Sequence, residues 1–263
     1  MKKAIFNLCI GGVRPHWQKC LQSQHAYCEK YGIDHFMSHQ MSTAWPYGPN
    51  PTANFFFEKL QIRQLFRQDF DQVLYLDANV LITSDAKNIF EEYPDPGKYY
   101  GYDESQEVGM KGKTLYGEEE DVMDRDPYVK RVIENLDEPF SWKKNKRGKH
   151  VYYNMGVMLF GKDSSSWIMD EEKLLSLKDC QHIYDFNDQT YFNALIQKYN
   201  IPNESLDHSF NRIGLGGSDP DNQRYKANFI HYAGPCLYGI EGEFTEEGKV
   251  NAVSKDYNYF YGN

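Results

Sequence analysis

Apolar positions along the chain change their period several times, and each change marks an element. Residues 4–10 (AIFNLCI) form an apolar run stopped by Gly11-Gly12, which predicts a strand. Trp17, Cys20, Leu21, Gln24, Tyr27, Cys28 and Tyr31 then recur at helical spacing, with Gly32 as the stop. IDHFMS (33–38) returns to a short β pattern. Strand–helix–strand at the start predicts a parallel sheet with a right-handed crossover. Residues 41–54 hold three Pro, one Gly and two Asn, a loop long for a mere connection. Phe55, Ile62, Leu65, Phe66 and Phe70 predict a helix over 55–70, and VLYLD follows at once. Residues 91–150 are irregular, with an acidic run (118–121) and a basic run, KKNKRGK (143–149). YYNMGVMLFG (152–161) reads as a strand. NDQTYFNALIQKYN (187–200) reads as a helix, with Phe192, Leu195, Ile196 and Tyr199 on its stripe and Asn187 or Asp188 at its cap. ANFIHYAG (227–234) is a last short strand running into a turn. There is no internal repeat, low-complexity tract or linker, so one α/β domain is expected.

The run VLYLDANVLI (73–82) raises a question of chemistry, because Asp77 and Asn79 interrupt it. An unpaired carboxylate in an apolar run costs several kcal/mol. Asp77 lies where VLYL ends, and open α/β sheets bind ligands at the carboxyl ends of their strands. Two readings stand. Asp77 and Asn79 offer oxygen ligands to a hard divalent ion such as Mg²⁺ or Mn²⁺, or they serve a tight turn. His231, in FIHYAGP, is a third candidate ligand, since neutral imidazole suits Mn²⁺; a structural hydrogen bond is the other use of a His at a strand end. Gly234 follows, where a backbone can approach a phosphate closely.

Composition narrows the field. The 263 residues carry a formal net charge of -9, which excludes a nonspecific nucleic-acid footprint and requires a local cation for any anionic substrate. The basic run 143–149 either touches a phosphate or is a solvated loop. Cys9, Cys20, Cys28, Cys180 and Cys236 form no CxxC pair, and an odd count fits a reducing compartment. No run of 18 apolar residues exists, and the apolar run near Met1 is too short for a signal peptide, so a cytoplasmic protein without a transmembrane segment is expected.

Five motifs in order, EKLQIRQLF (58–66), VLYLDANVLI (73–82), YNMGVMLF (153–160), FNDQTYFNALI (186–196) and FIHYAG (229–234), resemble the retaining, family 8-like GT-A glycosyltransferases of the glycogenin and lipopolysaccharide galactosyltransferase type. The resemblance runs from the N-terminal strand to about Gly234. It implies a single GT-A domain over 1–263, with a Rossmann-like, mostly parallel central sheet flanked by helices. The nucleotide-sugar-binding part would take about 1–110 and the acceptor-binding part about 111–263. It implies sugar transfer from a nucleotide-diphosphate sugar, with UDP the default donor base and GDP next, to a glycan or glycoprotein hydroxyl.

Site residues follow by position. The DxD motif falls on Asp77-Ala78-Asn79, Asn79 being a departure, and the metal-binding His falls on His231; these would hold Mn²⁺ or Mg²⁺. Leu8, Cys9, Ile10 and Gly11 would cradle the nucleotide. Lys59 or Arg63 would grip the diphosphate or sugar, a solvated helix face being the alternative. Asp103 would contact the donor sugar, Asn154 and Gly156 would line the sugar and acceptor pocket, and Asp188 and Gln189 would sit beside the anomeric carbon as catalytic residues. Gly234 would approach the phosphates, while the family's following Lys is replaced by Pro235-Cys236-Leu237. Retention allows a covalent intermediate or front-face attack, and the residues favour the second. The tail aromatics Tyr238, Tyr257, Tyr259, Phe260 and Tyr261 would either close over the donor or dock on the core. Two other readings are a haloacid-dehalogenase phosphotransferase, for which the second acid is missing, and a catalytically inactive nucleotide-sugar-binding protein.

Overall fold

The structure is a computed structural model and describes residues 1–42, 57–106, 142–175, 188–213, 220–233 and 245–262. β1 (Lys3–Leu8) runs through a 3₁₀ turn (Pro15–Trp17) into α1 (Gln18–Tyr31) and on to β2 (Asp34–Ser38). Gly32 ends α1 in the left-handed region (φ 64), where glycine carries no Cβ penalty. β3 (Gln72–Leu76), β4 (Val80–Ile82), β5 (Tyr99–Asp103), β6 (Tyr153–Gly161), β7 (Asn203–Ser205) and β8 (Phe229–His231) follow.

The main sheet has the order β2-β1-β3-β6-β5-β7. β1 pairs parallel with β2 and β3, β6 runs antiparallel between β3 and β5, and β5 pairs parallel with β7. Alternation divides each strand between two cores. Ala4, Phe6, Val73, Tyr75 and Phe160 pack on one face; Ile5, Leu74, Leu76 and Leu159 pack on the other. Burial on both faces explains why VLYL is continuously apolar rather than alternating.

The apolar run then breaks where its polar residues stand. β3 ends at Leu76, and β4 leaves the main sheet to pair antiparallel with β8, Val80 opposite His231. The turn 77–79 is therefore the passage between two sheets. Two buried amides hold it. Asn7 Nδ2 donates to Leu76 O (2.7 Å) and to Gln24 Oε1 (2.7 Å), and Gln24 Nε2 donates to Val80 O (2.7 Å) and Asp77 O (3.2 Å). Gln24, on the helical stripe of α1, thus serves a polar role inside an apolar face.

The helix expected over 55–70 differs from the pattern. Residues Glu58–Ile62 wind as a 3₁₀ helix and only Arg63–Phe66 (α2) is α-helical. Glu58 and Lys59 are both buried and bonded inward: Glu58 Oε2 accepts from Ser42 N (2.7 Å), and Lys59 Nζ donates to Met155 O (2.7 Å). These anchors override the apolar period. Short helical turns lie at Ile89–Glu92, Ser166–Met169 and Glu171–Leu175. α3 (Asp188–Lys198) packs on β6, and α4 (Glu246–Tyr261) lies against α1. Tyr257, Tyr259, Phe260 and Tyr261 belong to α4, and Tyr261 Oη donates to Ile82 O (2.8 Å), so these tail aromatics belong to a docked helix. Tyr238 lies outside the described residues, as does most of the 41–54 loop. Among the described residues, no helix is long and apolar enough to cross a membrane.

Candidate active site

Asp77 sits where β3 leaves the main sheet, and its backbone N donates to Gly156 O of β6 (2.8 Å). Its Oδ1 accepts from Tyr75 Oη (2.7 Å), two residues back on the same face, and lies 3.5 Å from Lys59 Nζ. Lys59 Nζ is also 2.6 Å from Asp188 Oδ2 at the start of α3. One buried ammonium thus joins two carboxylates from three separate elements. Burial alone pulls the Lys59 pKa down, but the charges of Asp188 and Asp77 more than offset it, so the ammonium form is held. Burial raises the Asp188 carboxyl above its ordinary range, against the attraction of Lys59.

His231 comes in on β8. Its Nε2 lies 3.7 Å from Asp77 Oδ2. A chain of buried hydrogen bonds fixes its tautomer. Gly156 N can only donate, so the Asn154 atom facing it (2.9 Å) is Oδ1. The same Oδ1 accepts from Asn211 Nδ2 (2.9 Å), which turns Asn211 Oδ1 toward His231 Nδ1 (3.0 Å). The proton therefore sits on Nδ1, and Nε2 presents its lone pair toward Asp77. Burial lowers the His231 pKa to about 4, with Lys59 adding to the shift and Asp77 opposing it, so the ring is neutral at pH 7. Asn211 reaches this place because its neighbour Arg212 bridges to β8.

Gly156 has a steric role here. A Cβ at 156 would lie 2.1 Å from His231 Cε1 and 2.6 Å from Nε2, so the imidazole packs on bare backbone. Asn154 Nδ2 donates to Glu104 Oε1, and Glu104 Oε2 accepts from Gln189 Nε2 (2.9 Å). One continuous network therefore runs from His231 to Gln189.

Asn79 supplies a further oxygen. Its Nδ2 donates to Tyr232 O (3.0 Å), and its buried Oδ1 has no hydrogen-bond partner. An orphaned buried acceptor costs about 1–3 kcal/mol unless something positive meets it. The Asp77 carboxylate, the His231 Nε2 and the Asn79 amide oxygen are N and O donors of the kind that suits Mn²⁺ or Mg²⁺. The site's residues fit the divalent ion expected from the sequence. Among the described residues no group of three or more His, Cys, Asp and Glu gathers at one point.

The remaining candidates divide. Leu8 ends β1; Cys9 is buried and its N donates to Ser38 O (2.8 Å). Ile10 follows, then Gly11 in the left-handed region (φ 79). Ala78 packs with Cys9 and Leu21. Of the two basic candidates on the 58–66 segment, Lys59 reaches Asp77, whereas Arg63 Nη2 faces Glu171 Oε1 (3.4 Å). Asp103 is buried, and its oxygens accept from Ser105, Gln106, Asn145 and Tyr152 N. Its neighbour Glu104, not Asp103, connects to Asn154 and Gln189. The register shift between Gly101 and Asp103 at the end of β5 governs which acid faces which way. Gly234 and Asn187 lie outside the described residues. Pattern reading missed Glu104, Asn211, Tyr75, Asn7 and Gln24. Tyr75 alone had a signal, its i−2 position on a strand.

The model of glycosyl transferase family 8 matches residues 11–236. No curated protein sequence matches the chain. In structure it is similar to a glycosyltransferase involved in the glycosylation of the major capsid of PBCV-1, at 14% identity, covering 97% of this chain and 100% of that one, with a TM-score of 0.58. It is similar to the galactosyltransferase LgtC in complex with donor and acceptor sugar analogs, at 14% identity, covering 96% of this chain and 95% of that one, TM-score 0.55. It is also similar to mouse xyloside xylosyltransferase 1, at 13% identity, covering 90% of this chain and 99% of that one, TM-score 0.50. At such identities the likeness shows the fold, a mostly parallel six-stranded GT-A sheet flanked by helices. The family match spans most of the chain, and the protein therefore belongs to glycosyl transferase family 8 and is a glycosyltransferase.

Proposed function

We propose that the protein moves a sugar from a nucleotide-diphosphate sugar to a glycan hydroxyl, using a divalent metal and retaining the anomeric configuration. UDP is the default donor base and GDP the next. One observation carries the metal requirement: a neutral His231 turns its Nε2 lone pair toward a carboxylate oxygen 3.7 Å away. Lys59 reaches only the Oδ1 side of Asp77, so Oδ2 and Nε2 together offer a divalent ion a carboxylate and an imidazole donor. Asp77, Asn79 and His231 would hold Mn²⁺ or Mg²⁺. When bound, the metal supplies Lewis-acid stabilisation to the departing diphosphate.

The rest is performed by the chain's own groups. Asp188 and Glu104 set negative charge beside the place where the sugar carbon becomes electron-poor, which favours an oxocarbenium-like transition state. Gln189, tied to Glu104, orients the sugar. Lys59 opposes the burial that raises the Asp188 carboxyl and holds it in place. A carboxylate engaged at 2.6 Å by a buried ammonium is a poor nucleophile, which favours front-face attack over a covalent intermediate. Leu8 to Gly11 would receive the nucleotide. A cytoplasmic setting agrees with three buried free thiols, Cys9, Cys20 and Cys28.

The test is a thermal-shift panel of nucleoside diphosphates with and without Mn²⁺. A ligand at 100 times its dissociation constant adds about 2.7 kcal/mol. A shift with one nucleotide that requires Mn²⁺ and is lost in Asp77→Ala is expected. A nucleotide shift indifferent to Mn²⁺ would overturn the metal requirement, and no shift with any nucleotide would overturn the donor assignment.

A further inference from the structure

We propose that the cavity under the basic hairpin 143–149 is an anion-binding subsite, and that it takes an acidic group carried by the sugar acceptor. The acceptor part of this proposal rests on the donor–acceptor reading above; the anion site does not. The hairpin is built rigidly. Lys144 and His150 form an antiparallel bridge, Gly148 turns the chain in the left-handed region (φ 76), and Asn145 Oδ1 accepts from Arg147 N (2.9 Å) and Lys149 N (3.2 Å). Asn145 Nδ2 then pins the turn to Asp103 Oδ2 (3.1 Å) and Ser105 Oγ (2.7 Å). Below it lies a cavity of about 540 Å³. That volume is in the range of small-molecule sites.

The charges around this cavity are unbalanced. Four cations line it: Lys143, Lys144, Lys146 and Arg147. Lys143 Nζ meets only a neutral oxygen, Asn203 Oδ1 (3.4 Å), and Arg147 Nη1 only Gln106 O (3.4 Å). Among the described residues none of the four has an ion pair. Two carboxylates also line the cavity, but both are occupied elsewhere: Asp103 by the donors named above and Glu204 by Lys98 (2.9 Å). With Glu204 paired to Lys98, four cations face the single charge of Asp103, so this concavity is net positive in a chain of net charge -9. Such a local field concentrates anions. Amide and hydroxyl groups from Asn203, Ser205 and Gln106 line the same cavity and suit sugar hydroxyls. Its position identifies which substrate it serves. Asp103 lines the cavity while the next residue, Glu104, bonds Gln189 in the transfer site. An acceptor bound with its hydroxyl beside Gln189 would direct its own or its neighbouring residue's acidic group toward the hairpin. Phosphate and carboxylate share the required chemistry.

The experiment titrates the full-length, isotope-labelled chain with inorganic phosphate, with glucuronate and with glucose, following backbone amide resonances. Saturable shifts at 143–149 and 203–205 with the two anions, absent with glucose and weakened about tenfold in Lys144→Gln/Lys146→Gln, are expected. Whichever anion binds more tightly identifies the source. Equal shifts with glucose, or shifts unchanged in the double variant, would overturn the anion site. The acceptor role is read from transfer kinetics with a neutral sugar, its uronic acid and its phosphate. A raised KM for the acidic acceptors alone in the double variant, at unchanged kcat and unchanged nucleotide release to water, is expected; equal use of all three by the unsubstituted protein would overturn it. If that protein releases nucleotide from no nucleotide sugar, the donor reading fails, while the phosphate and glucuronate titrations still decide the site.

Discussion

Lys59 Nζ lies 2.6 Å from Asp188 Oδ2 and 3.5 Å from Asp77 Oδ1, so one buried cation ties the start of α3 to the end of β3. Removing it leaves the buried Asp188 facing the partly exposed Asp77 with no cation between them. Lys59→Met is expected to cost about 3–5 kcal/mol, the usual penalty for breaking a buried pair on one side. The loss should shrink as pH falls toward 4, because a protonated Asp188 no longer needs a cation. Denaturant midpoints at pH 7.5 and pH 4.5 check this; an equal loss at both would mean that Lys59 acts through packing alone.

Much of this was legible in the chain. VLYL is apolar at every position because its strand is covered on both faces, and Asp77 and Asn79 mark where the strand leaves one sheet for another. His231 and Asp77 were separable from the background because each is a polar residue at the end of an apolar run. Glu104 and Asn211 were not legible. Asp103 and Glu104 are neighbours of one chemistry, and a local register shift decides which meets Gln189. Asn211 lies in no periodic segment and matters only because the Arg212 bridge lays it beside β8. The 55–70 helix failed for a related reason: Glu58 and Lys59 turn inward to partners that are distant in sequence.

Gly156→Ala is a direct test of the imidazole's seat. The new Cβ would sit 2.1 Å from His231 Cε1, and the ring must leave. The fold should survive, since the ring can swing, with a destabilisation of about 1–3 kcal/mol from overpacking. Mn²⁺ affinity, measured by the paramagnetic signal of unbound ion, is expected to fall at least tenfold to a hundredfold. Unchanged affinity would remove His231 from the donor set.

Asn211→Leu breaks the tautomer chain without touching Asp77 or His231. Nδ1–H then loses its acceptor, and the proton is no longer confined to Nδ1. Nitrogen resonances of His231 in the metal-free protein should show the Nε2–H form appearing. Mn²⁺ affinity should drop about 10–100-fold. A pure Nδ1–H signal in the variant would show that something else fixes the ring.

The buried His231 and the half-buried His35 give the metal-free protein an acid-sensitive stability. Burial lowers His231 to about 4, and burial with the nearby His25 lowers His35 to about 4. Both rings are favoured neutral in the folded state and titrate near 6.5 when unfolded. Their contribution is therefore intact above about pH 6.5 and is lost as pH falls from there toward 4. Each proton adds a slope of about 1.4 kcal/mol per pH unit in that window. Chemical denaturation in EDTA should show His231→Asn reducing the slope by about one proton. An unaltered slope would place the acid sensitivity on His35 or the carboxylates.

The C-terminal helix supports the site through a second buried ion pair. Asp256 on α4 accepts from Arg224 Nε (2.9 Å), Tyr225 Oη (2.7 Å) and Tyr232 Oη (2.8 Å), and Asp256 and Arg224 are both buried. Tyr232 directly follows His231, and its carbonyl accepts from Asn79 Nδ2, so Asp256 is coupled through one residue to two of the three proposed metal donors. Asp256→Ala removes the buried carboxylate that faces Arg224 Nε and is expected to cost about 3–5 kcal/mol. Asp256→Asn keeps an acceptor for the tyrosines and should cost less. The apolar double variant Arg224→Met/Asp256→Leu should recover much of the loss, because it buries no unpaired charge. If α4 serves only stability, the double variant restores Mn²⁺ affinity along with the denaturation midpoint. If the Asp256–Tyr232 bond also aligns β8, the midpoint recovers and the affinity does not, and the two measurements together separate a docked helix from a helix that orients the metal site.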